Sequence, residues 1–179
     1  MFGLGLEYFH LRKPKADRAA YERYLTHIDP RYRKCVVMHQ YHELVEAFDL
    51  KGYHFQEQAR LDAGDNLPQV TAAYQAKGFT VSSSFHEPEH IRQNTASLDY
   101  RFLSPVFSSI SKQGYEGRGF DVTGLGAKII GMGGIQQSNI ADTAKLGFGG
   151  VGVLGGIWYA DDPIEAFRDI KCEVDRVFI

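Results

Sequence analysis

The sequence IIGMGGIQQSN (129–139) decides the fold class of this chain. It joins an apolar run to two adjacent glycines and then to polar residues that can begin a helix, the pattern of a buried strand followed by a tight turn. The chain repeats this pattern in GVGVLGGIW (150–158). Because glycine loses more backbone freedom on folding than any other residue, two such pairs at equivalent places need a physical reason.

Apolar runs and helical segments alternate along the whole chain. The apolar runs are continuous, and the segments between them have apolar residues at helical spacing. This pattern indicates a parallel sheet covered by helices on both faces. The predicted strands are 6–11, 34–39, 52–56, 79–85, 99–104, 127–133 and 149–155, and the predicted helices include 20–28, 42–48, 70–78 and 88–97.

Seven βα units with no switch in the strand pattern favour a (β/α)8 TIM-barrel type of α/β fold over an open doubly wound sheet. Such a barrel has eight units, so we expect a barrel truncated to seven, with the first unit missing. We predict a single domain over residues 1–179. A missing strand leaves unpaired backbone groups on its neighbours, and the N-terminal residues or a homo-oligomer contact are expected to cover them.

Composition excludes several classes of function. The net charge of −2 and the pI near 6.4 give no basic surface for general nucleic-acid binding. No apolar run approaches the roughly 18 residues that span a bilayer, and the N-terminus lacks the basic region of a secretory signal. Cys35 and Cys172 lack the CxxC spacing and fit a reducing compartment. We therefore predict a cytoplasmic protein that binds a small molecule, with neither nucleic acid nor membrane as a partner.

The glycine pairs suggest a phosphate site. In a parallel barrel the ligand binds at the carboxyl ends of the strands, and the loops after the last two strands often hold phosphate. Adjacent glycines let backbone N–H groups approach an anion. Gly133, Gly134, Gly155 and Gly156 are therefore predicted to bind phosphate, although tight turns alone would also explain either pair. Valine at Gly134 or Gly156 is expected to weaken binding and to leave the fold largely intact.

Four histidines fall at or near the ends of the first four predicted strands, where a barrel brings side chains together. Neutral imidazole is a common metal ligand. However, no HxH pair or strand-end carboxylate completes a ligand set, so we predict no metal. The four residues are His10, His39, His54 and His86, whereas His27, His42 and His90 are predicted on helix surfaces.

Basic residues lie close to the same strand ends. Arg12 and Lys13 follow the first predicted strand and are expected to face an anionic ligand, although an exposed strand end would also account for them. Lys112 and Arg118 lie in a glycine-rich segment. Either they close over that ligand or they solvate the segment.

The motifs, taken in order, resemble the thiamine phosphate synthase and thiazole tautomerase family. They are FHLRKP, GYH, SSFH, SPVFSSISKQGYEGRG, IIGMGGI and GVGVLGGI, and the resemblance extends over nearly the whole chain from residue 5. It implies a (β/α)8 barrel, here without its first strand and helix, and an enzyme of thiamine biosynthesis that binds a thiazole phosphate.

The resemblance includes two activities. The synthase joins a pyrimidine diphosphate to a thiazole phosphate and uses magnesium held by carboxylates, but the corresponding positions here read His39-Gln40 and Ala59. Magnesium prefers oxygen ligands, so their loss favours the tautomerase, an isomerase that aromatises a thiazole carboxylate phosphate without a cofactor. The synthase, with magnesium and rearranged diphosphate ligands, is the alternative. A further alternative is a protein that binds a phosphate ligand without catalysing a reaction.

The tautomerase interpretation gives the residues their roles. By resemblance, His86 is the general acid and base, with Ser84 beside it, because an imidazole titrates near neutral pH. A hydrogen bond from His86 to Ser84 or to a backbone group is its structural alternative. The substrate phosphate is assigned to the two glycine pairs, and its carboxylate to Arg12, Lys13 and Lys112. His10, His39 and His54 are expected to line the substrate site.

Overall fold

The computed structural model describes residues 1–108, 116–126 and 128–178, so Lys112 lies outside the described residues. Within this part of the chain there are seven strands, one at each predicted place and each shorter than predicted. They are β1 (Phe9–Leu11), β2 (Val36–Met38), β3 (Gly52–Phe55), β4 (Thr80–Phe85), β5 (Tyr100–Leu103), β6 (Ile129–Met132) and β7 (Val151–Gly152).

The strands follow one another in chain order from β1 to β7 in one sheet. Parallel registers place His10 opposite Val37 and His54 opposite Ser82, and further along the chain Met132 lies opposite Gly152. Parallel strands in chain order with helices between them are the arrangement of the TIM-barrel type, here with seven βα units. The predicted fold class is confirmed.

Helices connect most of the strands. Asp17 caps the first one, because its Oδ1 accepts a hydrogen bond from Ala20 N at 2.8 Å. The helix α3 is absent from the sequence-based prediction. The α-helices are α1 (Arg18–His27), α2 (Glu43–Ala47), α3 (Glu57–Ala63), α4 (Leu67–Ala76), α5 (Pro88–Gln93), α6 (Ile140–Lys145), α7 (Gly155–Trp158) and α8 (Pro163–Phe178), and short 3-10 helices cover Phe2–Leu4, Pro30–Cys35, Gly64–Asn66 and Gln137–Asn139.

The chain forms two compact units. Unit 1 consists of Met1–Ser83 and Thr95–Asp99, and unit 2 of Ser84–Asn94 and Tyr100–Ile179. Each has its own apolar core. In unit 1 the core includes Tyr21, Leu25, Val36, Val37, Met38, Leu44 and Leu50, and in unit 2 it includes Phe85, Leu103, Val106, Ile129, Ile140, Phe148 and Phe167.

Close packing fixes the position of β3 beside β4. A Cβ at Gly52 would lie 1.9 Å from the carbonyl oxygen of Thr80, so any larger residue there would push the two strands apart. The N-terminal residues pack beside β1, where the Phe2 ring stacks on Tyr32 at 5.2 Å and meets Phe9 edge-on at 5.7 Å. None of the described helices is long and apolar enough to cross a bilayer.

Candidate functional site

Three of the predicted histidines meet in unit 1. His10 lies in β1, His39 directly follows β2, and His54 lies in β3, so neighbouring parallel strands bring them together. His10 Nδ1 and His39 Nε2 are 2.9 Å apart, and the rings of His39 and His54 stack at 4.0 Å between centroids. One ring nitrogen from each residue lies within 4.8 Å of the others. We call these three residues the histidine cluster.

A serine that the sequence analysis did not single out orients His54. His54 Nδ1 lies 2.9 Å from Ser82 Oγ, and that hydroxyl donates to the carbonyl oxygen of Tyr53 at 3.4 Å. A hydroxyl that donates its only hydrogen to a carbonyl accepts from its other neighbour. His54 Nδ1 therefore carries a hydrogen, and Nε2 is the nitrogen with the lone pair. The pairing of His54 with Ser82 in the β3–β4 register produces this contact.

The rings of the histidine cluster are neutral near pH 7. Burial lowers the pKa of His10 to about 3. Burial first, and then the neighbouring charges of His10, Arg12 and His42, lower the pKa of His39 to about 2. The pKa of His54 is well below its ordinary value, again mainly because of burial. Within the part of the chain that the structure describes, His39 Nδ1 is buried without a hydrogen-bond partner.

The predicted cations of unit 1 lie at the surface beside the cluster. Arg12 Nε donates to Gln56 Oε1 at 3.3 Å, and Gln56 in turn donates from Nε2 to the carbonyl oxygen of His39 at 3.4 Å. Lys13 Nζ lies over the ring of Tyr24, 4.8 Å from its centroid. Arg12 is thus connected to the histidine cluster through one glutamine, whereas the ammonium of Lys13 is engaged by an aromatic ring.

The surface prediction for the three remaining histidines is confirmed for two of them and wrong for the third. His27 and His90 are exposed. His42 is half-buried, with its ring edge-on to Tyr53 and Phe55, and Nε2 lies 3.3 Å from the carbonyl oxygen of His54. It precedes a helix whose apolar side faces the core, which the sequence pattern alone did not reveal.

His86 lies in unit 2, one residue after β4. Its Nδ1 is 2.8 Å from the carbonyl oxygen of Ser104 and 3.4 Å from the hydroxyl of the same residue. A carbonyl oxygen only accepts, so Nδ1 is the donor of this hydrogen bond. Ser84, the other predicted catalytic residue, is half-buried in β4.

Arg118 forms hydrogen bonds to the residues that directly follow β4. Its guanidinium forms two hydrogen bonds to the carboxylate of Glu87, at 2.6 and 2.9 Å, and one to the carbonyl oxygen of His86 at 3.0 Å. The fork of the guanidinium matches a carboxylate in this way. This carboxylate is part of the chain itself, so Arg118 positions the backbone next to His86.

The two glycine pairs form neighbouring turns in unit 2. Gly133 and Gly134 have φ values of +95° and +65°, which explains the choice of glycine after β6. A Cβ at Gly134 would lie 2.3 Å from Ser108 O, and one at Gly156 would lie 2.8 Å from Ile135 O. The expectation that valine at Gly134 or Gly156 leaves the fold largely intact is therefore wrong, because both positions press against backbone atoms.

Gly155 differs from the other three glycines. A Cβ there would meet the ring of Tyr159 at 3.2 Å, and that side chain is 70% exposed and able to move. Gly155 and Gly156 begin α7. Of the four glycines, Gly155 is thus the one whose substitution tests contact with a ligand without first straining the turn.

The residues of the histidine cluster do not fit magnesium. Among the described residues, the cluster is the one group of three or more acidic, histidine or cysteine side chains close enough to hold a metal ion. It offers nitrogen atoms, whereas Mg²⁺ prefers carboxylate and water oxygens. The two positions that correspond to magnesium ligands of the synthase supply no carboxylate either. Gln40 Oε1 accepts a hydrogen bond from Tyr21 at 2.9 Å, and Ala59 is an exposed residue of α3.

Sequence comparison relates the chain to enzymes of thiamine biosynthesis. The pattern of the family described as thiamine monophosphate synthase matches residues 2–157. A thiamine-phosphate synthase of Listeria welshimeri is 34% identical over 77 residues, which are 39% of this chain and 37% of that protein. The chain spans 37% and 54% of the lengths of the first two curated relatives that it matches.

Solved structures of the same kind share the fold. A thiamine phosphate pyrophosphorylase from Bacteroides thetaiotaomicron is 26% identical, with a TM-score of 0.71, and the match covers 97% of this chain and 87% of that one. A thiamine phosphate pyrophosphorylase from Pyrococcus furiosus is 18% identical, with a TM-score of 0.73, over 98% of this chain and 86% of that one. The family pattern takes in all seven strands and both glycine turns, and this chain belongs to the thiamine monophosphate synthase family.

Proposed function

We propose that this chain catalyses a synthase reaction of thiamine biosynthesis, which joins a pyrimidine diphosphate to a thiazole phosphate and releases diphosphate. The observation that carries the proposal is the family match over residues 2–157, supported by relatives named thiamine-phosphate synthase. These relatives favour the synthase over the tautomerase that the sequence analysis preferred. The chain is shorter than they are, and the proposal concerns the residues it contains.

The leaving diphosphate needs positive charge, and unit 1 offers it next to the histidine cluster. Arg12 is exposed and linked to His39 through Gln56, so its guanidinium lies at the edge of the cluster. Guanidinium binds phosphate oxygens in a fork geometry. Lys13 can contribute a second positive charge if its ammonium group moves away from the ring of Tyr24. This movement costs little free energy, because a cation–π contact at the surface is weak.

The phosphate of the thiazole substrate is assigned to the glycine turns of unit 2. Backbone N–H groups at adjacent glycines can approach an anion closely, and the turn after β6 lies beside the start of α7, as the short distance between Gly156 and Ile135 supports. Phosphate bound after the last two strands is common in the TIM-barrel type. This assignment is the same for the synthase and for the tautomerase.

Arg12→Gln tests the synthase proposal. We expect kcat/KM for thiamine phosphate formation to fall by at least about tenfold, because the variant loses a charge that stabilises the departing diphosphate. Arg23→Gln, which removes an exposed charge from α1, is the matched control and should behave as the unmodified protein. Equal rates in Arg12→Gln and Arg23→Gln would contradict the role of Arg12.

The tautomerase is the second candidate, and the geometry at His86 favours it. The carbonyl of Ser104 accepts a hydrogen bond from Nδ1, which orients the imidazole, and Nε2 is the nitrogen that would exchange a proton with a thiazole carbon. The positions that read Gln40 and Ala59 also suit a reaction without magnesium. The ultraviolet absorbance change on aromatisation of a thiazole carboxylate phosphate measures this activity, and no pyrimidine substrate is needed.

Both assays on the same preparation separate the candidates. Thiamine phosphate formation supports the synthase, and aromatisation without it supports the tautomerase. A protein that binds the thiazole phosphate and turns over neither substrate is a non-catalytic binder.

A further inference from the structure

We propose that His10, His39 and His54 form a binding site for a divalent transition-metal ion of the zinc class. The proposal concerns unit 1 alone and depends on neither candidate reaction. It starts from the histidine cluster, whose members converge from β1, the end of β2 and β3.

The spacing of the ring nitrogens suits a single ion. Two nitrogens bound about 2.05 Å from one ion lie about 2.9 Å apart at a right angle and about 3.3 Å apart at the tetrahedral angle. His10 Nδ1 and His39 Nε2 are 2.9 Å apart, and all three candidate atoms lie within 4.8 Å of one another. The widest separation exceeds the tetrahedral value by at most about 1.5 Å, which rotation of an imidazole ring can remove.

The environment of His54 is that of an oriented ligand. Metal-bound histidine commonly donates its other ring N–H to a neighbouring oxygen, which fixes both the tautomer and the direction of the lone pair. His54 does this through Ser82 Oγ at 2.9 Å, and Ser82 is itself held by the carbonyl of Tyr53. Both His54 and Ser82 are completely buried, so this orientation is built into the core of unit 1.

A second observation comes from His39. Its Nδ1 is buried and has no hydrogen-bond partner in the described part of the chain, although its Nε2 lies against His10. No hydrogen bond on Nδ1 therefore holds the His39 ring in place, and the ring can turn about its side-chain bonds to direct Nε2 at an ion.

The donor atoms select the class of metal. Three imidazoles and no carboxylate suit zinc, cobalt, nickel or copper, and they do not suit magnesium or calcium. Three histidines leave a fourth position of a tetrahedral site open. Because imidazole ligands leave the charge of the ion uncompensated and Arg12 lies close by, an anionic oxygen is the expected fourth ligand.

The direct test is titration of protein without an affinity tag with Zn²⁺, monitored by calorimetry, and with Co²⁺, monitored by visible absorption. We expect one ion per chain and an intense Co²⁺ spectrum typical of low coordination number. His10→Gln and His39→Gln should each weaken Zn²⁺ binding by more than about 100-fold, and Ser82→Ala should weaken it by about 10- to 100-fold. His27→Gln and His90→Gln remove exposed histidines and should leave binding unchanged.

Absence of stoichiometric Zn²⁺ and Co²⁺ binding to the folded protein would overturn the proposal. Binding that survives His10→Gln and His39→Gln, or that is lost in His27→Gln or His90→Gln, would overturn it as well. Circular dichroism shows whether the cluster variants fold. If they do not, X-ray absorption of the zinc-loaded unmodified protein decides: three imidazole nitrogens support the site, and fewer than three contradict it.

Discussion

The histidine cluster contains side chains whose protonation changes between the folded and unfolded states. Burial lowers the pKa of His10 to about 3 and that of His39 to about 2, while an unfolded histidine titrates near 6.5. Below about pH 6.5 the histidines of the unfolded state therefore bind protons, whereas those of the folded state do not. Their contribution to the free energy of unfolding is fully present above pH 6.5 and falls as the pH drops towards 3.

Acid unfolding of the metal-free protein measures this effect. Each such histidine should lower the free energy of unfolding by up to about 1.4 kcal/mol for each pH unit below 6.5. Urea unfolding between pH 7.5 and pH 4.5, with a chelator present, gives the slope. His10→Gln should have a shallower slope than the unmodified protein, and His27→Gln should have the same slope. Identical slopes for all three proteins would mean that the cluster is not buried as described.

The second residue-scale prediction concerns His86. His86→Asn keeps a polar side chain able to donate to Ser104 O but removes the imidazole, the group that can both accept and donate a proton. If the chain is a tautomerase, aromatisation should slow by about 10²- to 10⁴-fold while ligand affinity is retained. His90→Asn, an exposed change on α5, is the control. An active His86→Asn protein would remove His86 as the acid and base.

At the scale of secondary-structure elements, the turns after β6 and β7 decide whether phosphate binds in unit 2. Gly155→Ala adds a methyl group whose nearest neighbour is the exposed ring of Tyr159 and not the backbone, so the fold should be kept. Gly134→Ala forces a side chain into the left-handed region and against Ser108 O, and it should lower the free energy of unfolding by about 1–3 kcal/mol. Urea unfolding compares the two.

Trp158, the only tryptophan of the chain, reports on the same turn. It lies in α7, which begins at Gly155, so its fluorescence should change when a thiazole phosphate binds. We expect Gly155→Ala to weaken that binding by about tenfold, or about 1.4 kcal/mol. Gly149→Ala, where a Cβ would meet only ordinary contacts at 3.8 Å, is the matched control. Equal affinity in Gly155→Ala and Gly149→Ala would assign the glycine turn to backbone geometry alone.

The strands and several helices could be predicted because their signals are local. Continuous apolar runs identified all seven strands, and Gly78, with φ of +84°, lies just after α4, where a glycine commonly ends a helix. The helix α3 was missed, because the polar stretch around Gly64 resembles a loop. The Ser82–His54 contact depends on the register between β3 and β4, which a pattern along one strand does not contain.

The histidines show where prediction from the sequence ends. Their positions at the ends of strands predicted that His10, His39, His54 and His86 converge, and among these the structure groups the first three, which lie on parallel and adjacent strands. The distances, the buried Nδ1 of His39 and the lowered pKa values depend on packing between strands of unit 1 that are far apart in sequence. The glycine turns were predicted as phosphate ligands, but their positive φ values and close backbone contacts appear only in the folded chain.

At the scale of the whole molecule, the family match over residues 2–157 and the sheet of seven strands in chain order place the chain among enzymes of thiamine biosynthesis. The Bacteroides thetaiotaomicron structure covers 97% of this chain. We propose accordingly that this chain turns over the substrates of the synthase.

The most direct measurement incubates the unmodified protein with pyrimidine diphosphate, thiazole phosphate and Mg²⁺ and quantifies both products by chromatography. We predict that thiamine phosphate and diphosphate appear in equal amounts, at a rate proportional to protein concentration and well above that of the protein-free control. Folded protein that forms neither product above the control would contradict the synthase proposal.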